Sequence, residues 1–340
     1  MNKIALAIHG GAGTILRSHM TPLLEAEYRS GLETALKIGW SILESGGSSL
    51  DAVEATVCSL EDFPLFNAGR GAVFTHEGKV ELDAAIMDGQ ALKAGAVTFV
   101  KNIKNPVQLA RLVMERTEHI LLAGEGANQF AEQMGMKTEP DEYFFTEHRW
   151  LQLQEAIAAG RVQMDHADDL DEEKNSPPYE GGVDAALGGR GGSLTTPTKP
   201  IGTVGAVACD TNGHLAAATS TGGMTNKKFG RIGDTPIIGS GTYADDICAV
   251  SCTGHGEYFM LAATAYDVAA RMKYKGLSLE DAAKETIDHL SAIQGEGGLI
   301  AVDTNGNVTL PFNSDGMYRG FVTTDSGPTI KIYNKAEPPA

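Results

Sequence analysis

Residues 200–210 read PIGTVGAVACD, and how they are read decides whether the chain is one domain or two. Residues 203–209 are apolar and strand-like, and Asp210-Thr211-Asn212-Gly213 turns them back into a second strand over 214–220. Asn-Gly supplies the left-handed conformations that such a hairpin turn needs. What precedes the hairpin is different. Residues 161–199, RVQMDHADDLDEEKNSPPYEGGVDAALGGRGGSLTTPTK, are rich in acid, glycine and proline and poor in core residues. A structureless segment of that length far exceeds ordinary connections and is usually functional or disordered. It divides the sequence without dividing the fold, because neither half carries a complete sheet of its own. The expectation is one domain over 1–340, with 161–201 as a flexible linker.

Outward from that hairpin, helices and strands alternate in both halves. KIALAI (3–8) is a buried strand, followed by the glycine-rich turn HGGAG. Thr21 caps a helix with Pro22 in its first turn, and Gly46-Gly47 ends it. Ser48-Ser49-Leu50-Asp51 opens a second helix with capping-box spacing. GAVFTHEGKVELDAAIMDG is expected to be a hairpin turning at His76-Glu77-Gly78, AGAVTFV a strand, and Asn105-Pro106 the start of a helix reaching about Glu118. HILLAG is a strand, and helices are expected near 125–134 and 146–159. In the second half, strands at 298–302 and 307–311 form another hairpin around Asp303-Thr304-Asn305-Gly306. One long helix follows Gly256, and another opens at Ser278. Strands such as KIALAI and HILLAG suggest burial on both faces. Stacked mixed sheets with helices outside, a four-layer αββα sandwich of the α+β type, provide that.

Composition narrows the function. Hydrophobic residues make up 42% and charged residues 21%, as in an ordinary globular protein. The formal net charge of −17 repels phosphate backbones, which argues against a nucleic-acid partner and for small molecules. No run of about eighteen apolar residues occurs, so no membrane span is expected. The apolar run before His9 is too short for a signal-peptide core, which with the cysteine pattern points to the cytoplasm. Cys58, Cys209, Cys248 and Cys252 form no C-x-x-C, and are expected as buried free thiols.

Familiar hydrolase signatures are missing. There is no G-x-S-x-G and no H-E-x-x-H, and the HGGAG turn lacks both the third glycine of a dinucleotide fingerprint and a Walker lysine. Of the histidines, only His255, in TGHGE, stands in a suspicious setting. What remains is threonine beside glycine at strand ends: Gly202-Thr203, Thr219-Ser220-Thr221-Gly222-Gly223 and Thr253-Gly254-His255-Gly256. Threonine favours strands and glycine favours turns everywhere, so one such cluster alone means little. The linker changes that weighing. A threonine hydroxyl needs a base beside it, and one solution is the threonine's own α-amine, which titrates near about 7.7–8.0. Thr203 gains that amine only if the chain is cut before it, and Gly202 suits such a cut because its carbonyl is open to attack.

GTVGAVACD, TSTGG, GRIGD and SCTGHGE, in this order, together with IHGGAG, LEDFPLFNAGRGAVFT, ELDAAIMDG and KAGAV, resemble the plant-type L-asparaginases, also called isoaspartyl peptidases. These are N-terminal-nucleophile hydrolases of the αββα fold, and the resemblance covers nearly the whole chain outside the linker. It implies self-cleavage between Gly202 and Thr203, giving an α subunit of 1–202 and a β subunit of 203–340. Thr203 becomes the nucleophile and its α-amine the base, Thr221 orients it, and Thr253 and Gly254 form an oxyanion hole. Arg231 and Asp234 clamp the substrate's α-carboxylate and α-ammonium. Gly256 contacts the amine, and Asn67 lies close to the nucleophile. The loop carbonyls of Leu60, Glu61, Phe63, Phe66, Ala68 and Arg70 match a structural sodium site, with no cofactor needed for catalysis. His255 occupies a variable position that can tune substrate preference. The implied activity is hydrolysis of L-asparagine and of β-aspartyl dipeptides, the dipeptide preferred, by a cytoplasmic dimer of αβ units.

Related readings are weaker. A glycosylasparaginase is expected to carry a secretory signal and an aspartate before the nucleophile, where this chain has Gly202. A taspase-like endopeptidase shares the nucleophile, but the complete clamp favours small substrates. A non-catalytic amino-acid-binding protein of the same fold would keep Arg231 and Asp234 and remain uncut.

Overall fold

The computed structural model describes residues 3–162 and 202–334. The expected linker therefore lies, beyond Val162, outside the described residues. Among the described residues the order is β1 (Ala5–Gly13), α1 (Pro22–Glu44), α2 (Ser49–Glu61), β2 (Leu82–Asp88), β3 (Lys93–Val100), α3 (Pro106–Arg116), β4 (Leu121–Ala123), α4 (Gly124–Gln133), α5 (Asp141–Phe144) and α6 (Glu147–Ala158). After the linker come β5 (Val204–Cys209), β6 (Leu215–Thr221), β7 (Thr242–Ala244), β8 (Cys248–Gly254), α7 (Gly256–Ala262), α8 (Thr264–Lys275), α9 (Leu279–Ala292), β9 (Gly297–Asp303), β10 (Val308–Thr309), β11 (Gly316–Thr323) and β12 (Ser326–Tyr333).

Among the described residues two sheets form, one ordered β12-β11-β1-β5-β6-β2-β3-β4 and the other β10-β9-β8-β7. The expected αββα layering follows from the two-residue period of the strands. Leu6 and Ile8 of β1, with Ala206 and Ala208 of β5, face Leu32, Leu36, Val53 and Val57 of α1 and α2. The alternate residues, Ala5, Ala7, Val207 and Ala217, face Ala249, Ile300 and Val302 of the second sheet. That inter-sheet layer is mostly alanine and valine, so the two sheets can lie close together. On its far side the second sheet turns Cys248, Val250 and Cys252 toward Val268, Leu279 and Ile287 of α8 and α9. All four cysteines are free thiols, three of them buried, and burial pushes Cys209 up to about 12.

The large sheet interleaves the two halves of the sequence. β5 pairs with β1 on one edge and with β6 on the other, and β6 pairs in turn with β2. Helix starts follow their caps: the Thr21 hydroxyl accepts from Leu24 N, Ser48 from Asp51 N and Ser278 from Asp281 N.

Four local expectations are corrected. HGGAG is not a turn but the second half of β1, which continues to Gly13 along β11 with a bulge between His9 and Gly11. Its partner strand comes from the far end of the chain, so no local signal marks it. The glycine is required there: a Cβ on Gly10 would stand 2.4 Å from the Phe66 ring. The turn near His76 forms, with Thr75 N donating to Lys79 O at 2.8 Å, but its arms do not pair as strands. Thr75 instead bridges Lys227, and β2 takes β3 and β6 as partners. The single helix after Gly256 is two, broken at Ala263 with φ 47°. HILLAG reaches only a short edge strand, with Ile120 and Leu121 exposed rather than buried.

Candidate active site

Thr203 stands at the entrance to β5. The antiparallel register that pairs Val204 with Ser220 continues to place 203 opposite 221. There the Thr203 hydroxyl donates to Thr221 Oγ1 at 3.1 Å. Thr221 ends β6 and is buried, and its Oγ1 also accepts the Gly223 N–H at 3.0 Å. With both lone pairs engaged, its orientation relative to Thr203 is fixed. Asn67 braces the same turn. Its Nδ2 donates to Gly223 O at 2.7 Å, its Oδ1 accepts from Val73 N at 3.0 Å, and its own carbonyl accepts from Gly222 N. Asn67 is thus tied to Thr203 through Gly223 and Thr221, with its amide engaged by backbone.

Thr253 and Gly254 end β8, in the other sheet. β1 joins the two. Ala12 N donates to Thr253 Oγ1 at 3.2 Å, which uses an oxygen lone pair and leaves the hydroxyl proton to donate elsewhere. Gly254 has φ 148°, and a Cβ there would meet Glu296 O at 2.3 Å, so only glycine fits.

His9 makes the second tie, which sequence reasoning missed. Its Nδ1 lies 2.9 Å from the Thr203 carbonyl and its Nε2 2.8 Å from Ser251 Oγ. Burial pushes His9 down to about 3, despite the opposing bond to Thr203 O, so the ring is neutral near pH 7. A carbonyl only accepts, so the proton is on Nδ1 and Ser251 donates to Nε2. Thr219, 2.7 Å from Ser251, then donates to it and accepts from Thr242 at 2.7 Å. A buried relay of hydroxyls therefore runs from Thr242 through Thr219, Ser251 and His9 to the Thr203 carbonyl. Such aligned chains reinforce one another in a low-dielectric interior. The available signal was a histidine directly after the apolar run KIALAI. Gly205 makes room for the relay, since a Cβ there would lie 2.0 Å from Ser251 Oγ and 2.4 Å from His9 Nε2. Gly205→Ala is expected to destabilise the fold by about 2 kcal/mol or more, through overpacking and broken buried hydrogen bonds. Denaturant unfolding measures it, and an unchanged midpoint would contradict the relay.

Arg231 and Asp234 flank the start of α7. Arg231 reaches Glu257 in a two-pronged ion pair, Nε to Oε1 at 2.8 Å and Nη2 to Oε2 at 2.9 Å. Burial raises the Glu257 carboxyl, but these bonds outweigh it and hold the group below its ordinary value. Asp234 is buried, and its Oδ2 has no hydrogen-bond partner among the described residues. Burial pushes it up to about 7, against the pull of Arg231. A Cβ on Gly256 would lie 2.8 Å from Asp234 Oδ1 and 3.1 Å from Arg231 Nη2, so glycine keeps the space between cation and carboxyl open. Arg231 also borders a cavity of about 530 Å³ lined by Thr75, Lys79, Phe99, Lys101 and Phe229, which gives solvent a route to the guanidinium. His255 lies 3.7 Å from Glu257, and its ring packs edge-on to Tyr258.

The loop from Leu60 to Arg70 is compact. The carbonyls of Phe63, Phe66 and Ala68 each accept one backbone N–H, leaving a second lone pair for a hard cation, whereas the Leu60 carbonyl is reached by both Asp62 N and Phe63 N. The Arg70 guanidinium turns away, 5.5 Å over the Tyr143 ring. Burial raises the Glu61 carboxyl to about 8, against hydrogen bonds from Asn105 and Val107. Carbonyl oxygens with a spare lone pair are the donor chemistry that a hard cation such as sodium takes. Among the described residues no cluster of histidine, cysteine and acid could hold a metal.

Two sheets bring a threonine hydroxyl pair, a third threonine with its glycine, and a cation beside a carboxyl with one partnerless oxygen to the ends of β5, β6 and β8. The sequence is matched from residue 2 to 332 by the family model described as asparaginase (Asparaginase_2). It is 49% identical to an isoaspartyl peptidase of Salmonella typhimurium, over 98% of this chain and 100% of that protein. It is 47% identical to an isoaspartyl peptidase of Escherichia coli, over 98% of each chain. A probable isoaspartyl peptidase/L-asparaginase 2 of Arabidopsis thaliana is 41% identical, over 98% of this chain and 100% of that protein.

Proposed function

We propose, because this chain belongs to the asparaginase family and is an amidohydrolase, that it hydrolyses β-aspartyl dipeptides and L-asparagine after cutting itself between Gly202 and Thr203. The observation that carries the reading is the hydrogen bond from Thr203 to Thr221 at the head of β5. The relatives' names, isoaspartyl peptidase and L-asparaginase, support the substrate pair.

In the first reaction Thr203 Oγ attacks the Gly202 carbonyl carbon. The peptide C–N bond breaks, the nitrogen takes the proton that the Thr203 hydroxyl gives up and becomes the α-amine, and an ester links Gly202 to Oγ. Water then opens the ester, leaving a carboxylate on Gly202 and the free hydroxyl. The products are an α subunit of 1–202 and a β subunit of 203–340, still one domain, because β5 remains hydrogen-bonded along both edges.

In turnover the α-amine takes the hydroxyl proton as Oγ attacks the substrate's side-chain carbonyl. The Thr253 hydroxyl and the Gly254 N–H stabilise the oxyanion. The leaving amine departs with the proton, and water resolves the aspartyl ester. Arg231 holds the α-carboxylate and Asp234 the α-ammonium, the latter needing its carboxyl ionised. The same reading carries a structural sodium ion at the Leu60–Arg70 loop, a cytoplasmic location and a dimer of αβ units. Among the described residues no helix is long and apolar enough to cross a membrane.

A pH dependence follows from Asp234. Its carboxyl, at about 7 in the free protein, is protonated below that value and offers the substrate ammonium no charge. The α-amine base protonates over the same range in free and bound enzyme and lowers kcat about tenfold per unit, so the expected result is a kcat/KM that falls about a further tenfold per unit below pH 7, because bound substrate keeps Asp234 ionised. Profiles of both parameters from pH 5 to 8 check it; a kcat/KM that falls no more steeply than kcat would remove Asp234 from the clamp.

A further inference from the structure

Glu257 belongs to none of the roles assigned so far. It is on the first turn of α7, one residue beyond Gly256, and its two oxygens take the Nε and Nη2 protons of Arg231. A guanidinium presents donors along two edges. Glu257 fills the Nε edge. The Nη1 edge lies beside two glycines: a Cβ on Gly233 would lie 3.0 Å from Nη1, and one on Gly223 3.6 Å from it and 3.2 Å from Lys227 Nζ, a second cation on the same side. Gly256 separates the same guanidinium from Asp234. The open edge thus faces a glycine-bounded space beside a buried carboxyl whose Oδ2 has no hydrogen-bond partner among the described residues, a cation and an acid such as an amino acid's carboxylate and ammonium pair with.

We propose that Glu257 is a positioning residue, fixing Arg231 by its Nε edge so that the Nη1 edge receives the substrate's α-carboxylate. This rests on the clamp reading above. Two effects oppose each other when Glu257 is removed. Arg231 regains rotamer freedom that substrate must quench, and it also loses a neighbouring negative charge. The Glu257 side chain is 44% exposed, so solvent screens its charge, and the ordering effect dominates. Glu257→Ala is expected to raise KM about tenfold with kcat within about twofold, and Glu257→Gln, which keeps one acceptor, to fall between.

The test measures KM and kcat for L-asparagine and a β-aspartyl dipeptide, and binding of L-aspartate by calorimetry, in wild type and both variants. A parallel series uses 3-aminopropanamide, which lacks the α-carboxylate. The preference for L-asparagine over that amide should shrink about tenfold in Glu257→Ala. A purely structural role would lower the unfolding midpoint and kcat without touching KM or that preference. An unchanged KM overturns the proposal, and a lowered KM would show that Glu257 plugs the site. The aspartate titration keeps the two claims apart. A wild type that binds aspartate but hydrolyses neither substrate overturns the enzymatic reading alone, and equal affinity in wild type and Glu257→Ala overturns the positioning role alone. A wild type that does neither overturns both.

Discussion

Thr203→Ala is expected to remain a single uncut chain and to hydrolyse neither L-asparagine nor β-aspartyl dipeptides above background. The change removes one hydroxyl, yet that oxygen is asked to do two things: attack the Gly202 carbonyl, and later attack substrate. Without the first attack the α-amine is never exposed, so the base is lost along with the nucleophile. Losing a nucleophile and its base as a unit costs on the order of 10⁴ or more in rate. The fold should survive. The substitution forfeits only the bond to Thr221, while β5 keeps its partners on both sides. Electrophoresis and steady-state rates measure both effects, and circular dichroism confirms folding. Thr203→Ser, which keeps the hydroxyl, should restore cutting. Residual cleavage at this bond in Thr203→Ala would show that another group attacks.

The second large effect is expected at Thr253. Thr253→Val keeps the shape of a fully buried side chain and replaces only the hydroxyl with methyl. As an oxyanion donor that hydroxyl acts where charge develops, so kcat should fall by about a hundredfold to a thousandfold with KM little changed. Stability should fall too. Ala12 N donates to Thr253 Oγ1, and the valine would leave that N–H buried without an acceptor, costing about 1–3 kcal/mol. Steady-state kinetics and denaturant unfolding separate the two losses. A variant that loses stability but keeps kcat would make Thr253 a brace for β1 and nothing more.

The layering was legible in the sequence because strand periodicity and helix caps are local. Thr21, Ser48 and Ser278 cap helices where their spacing placed them. The hairpin around the Asp210 turn formed for the same reason. Long-range pairing was not legible. HGGAG looked like a turn because its partner β11 lies some three hundred residues away in sequence, and the arms of the His76 turn do not pair as strands because Thr75 also bridges Lys227 and β2 takes β3 and β6 as partners. The site showed the same divide. Thr203, Thr221, Thr253 and Gly254 stood out at strand ends, whereas Arg231 and Asp234 drew meaning only from the ordered series of motifs. His9 and Glu257 stayed hidden because their partners, the Thr203 carbonyl and the Arg231 guanidinium, are brought to them by the fold. A histidine directly after an apolar run, and an acid in a helix's first turn, have bland explanations until those contacts are seen.

The central claim is that the working base is an α-amine made by cutting the chain. Intact-mass analysis of the purified protein, with N-terminal sequencing of each species, tests it most directly. The account predicts two chains, one ending at Gly202 and the other beginning at Thr203, together adding the mass of one water to the full chain. A single full-length chain that hydrolyses β-aspartyl dipeptides, or a second chain beginning anywhere other than Thr203, would contradict it.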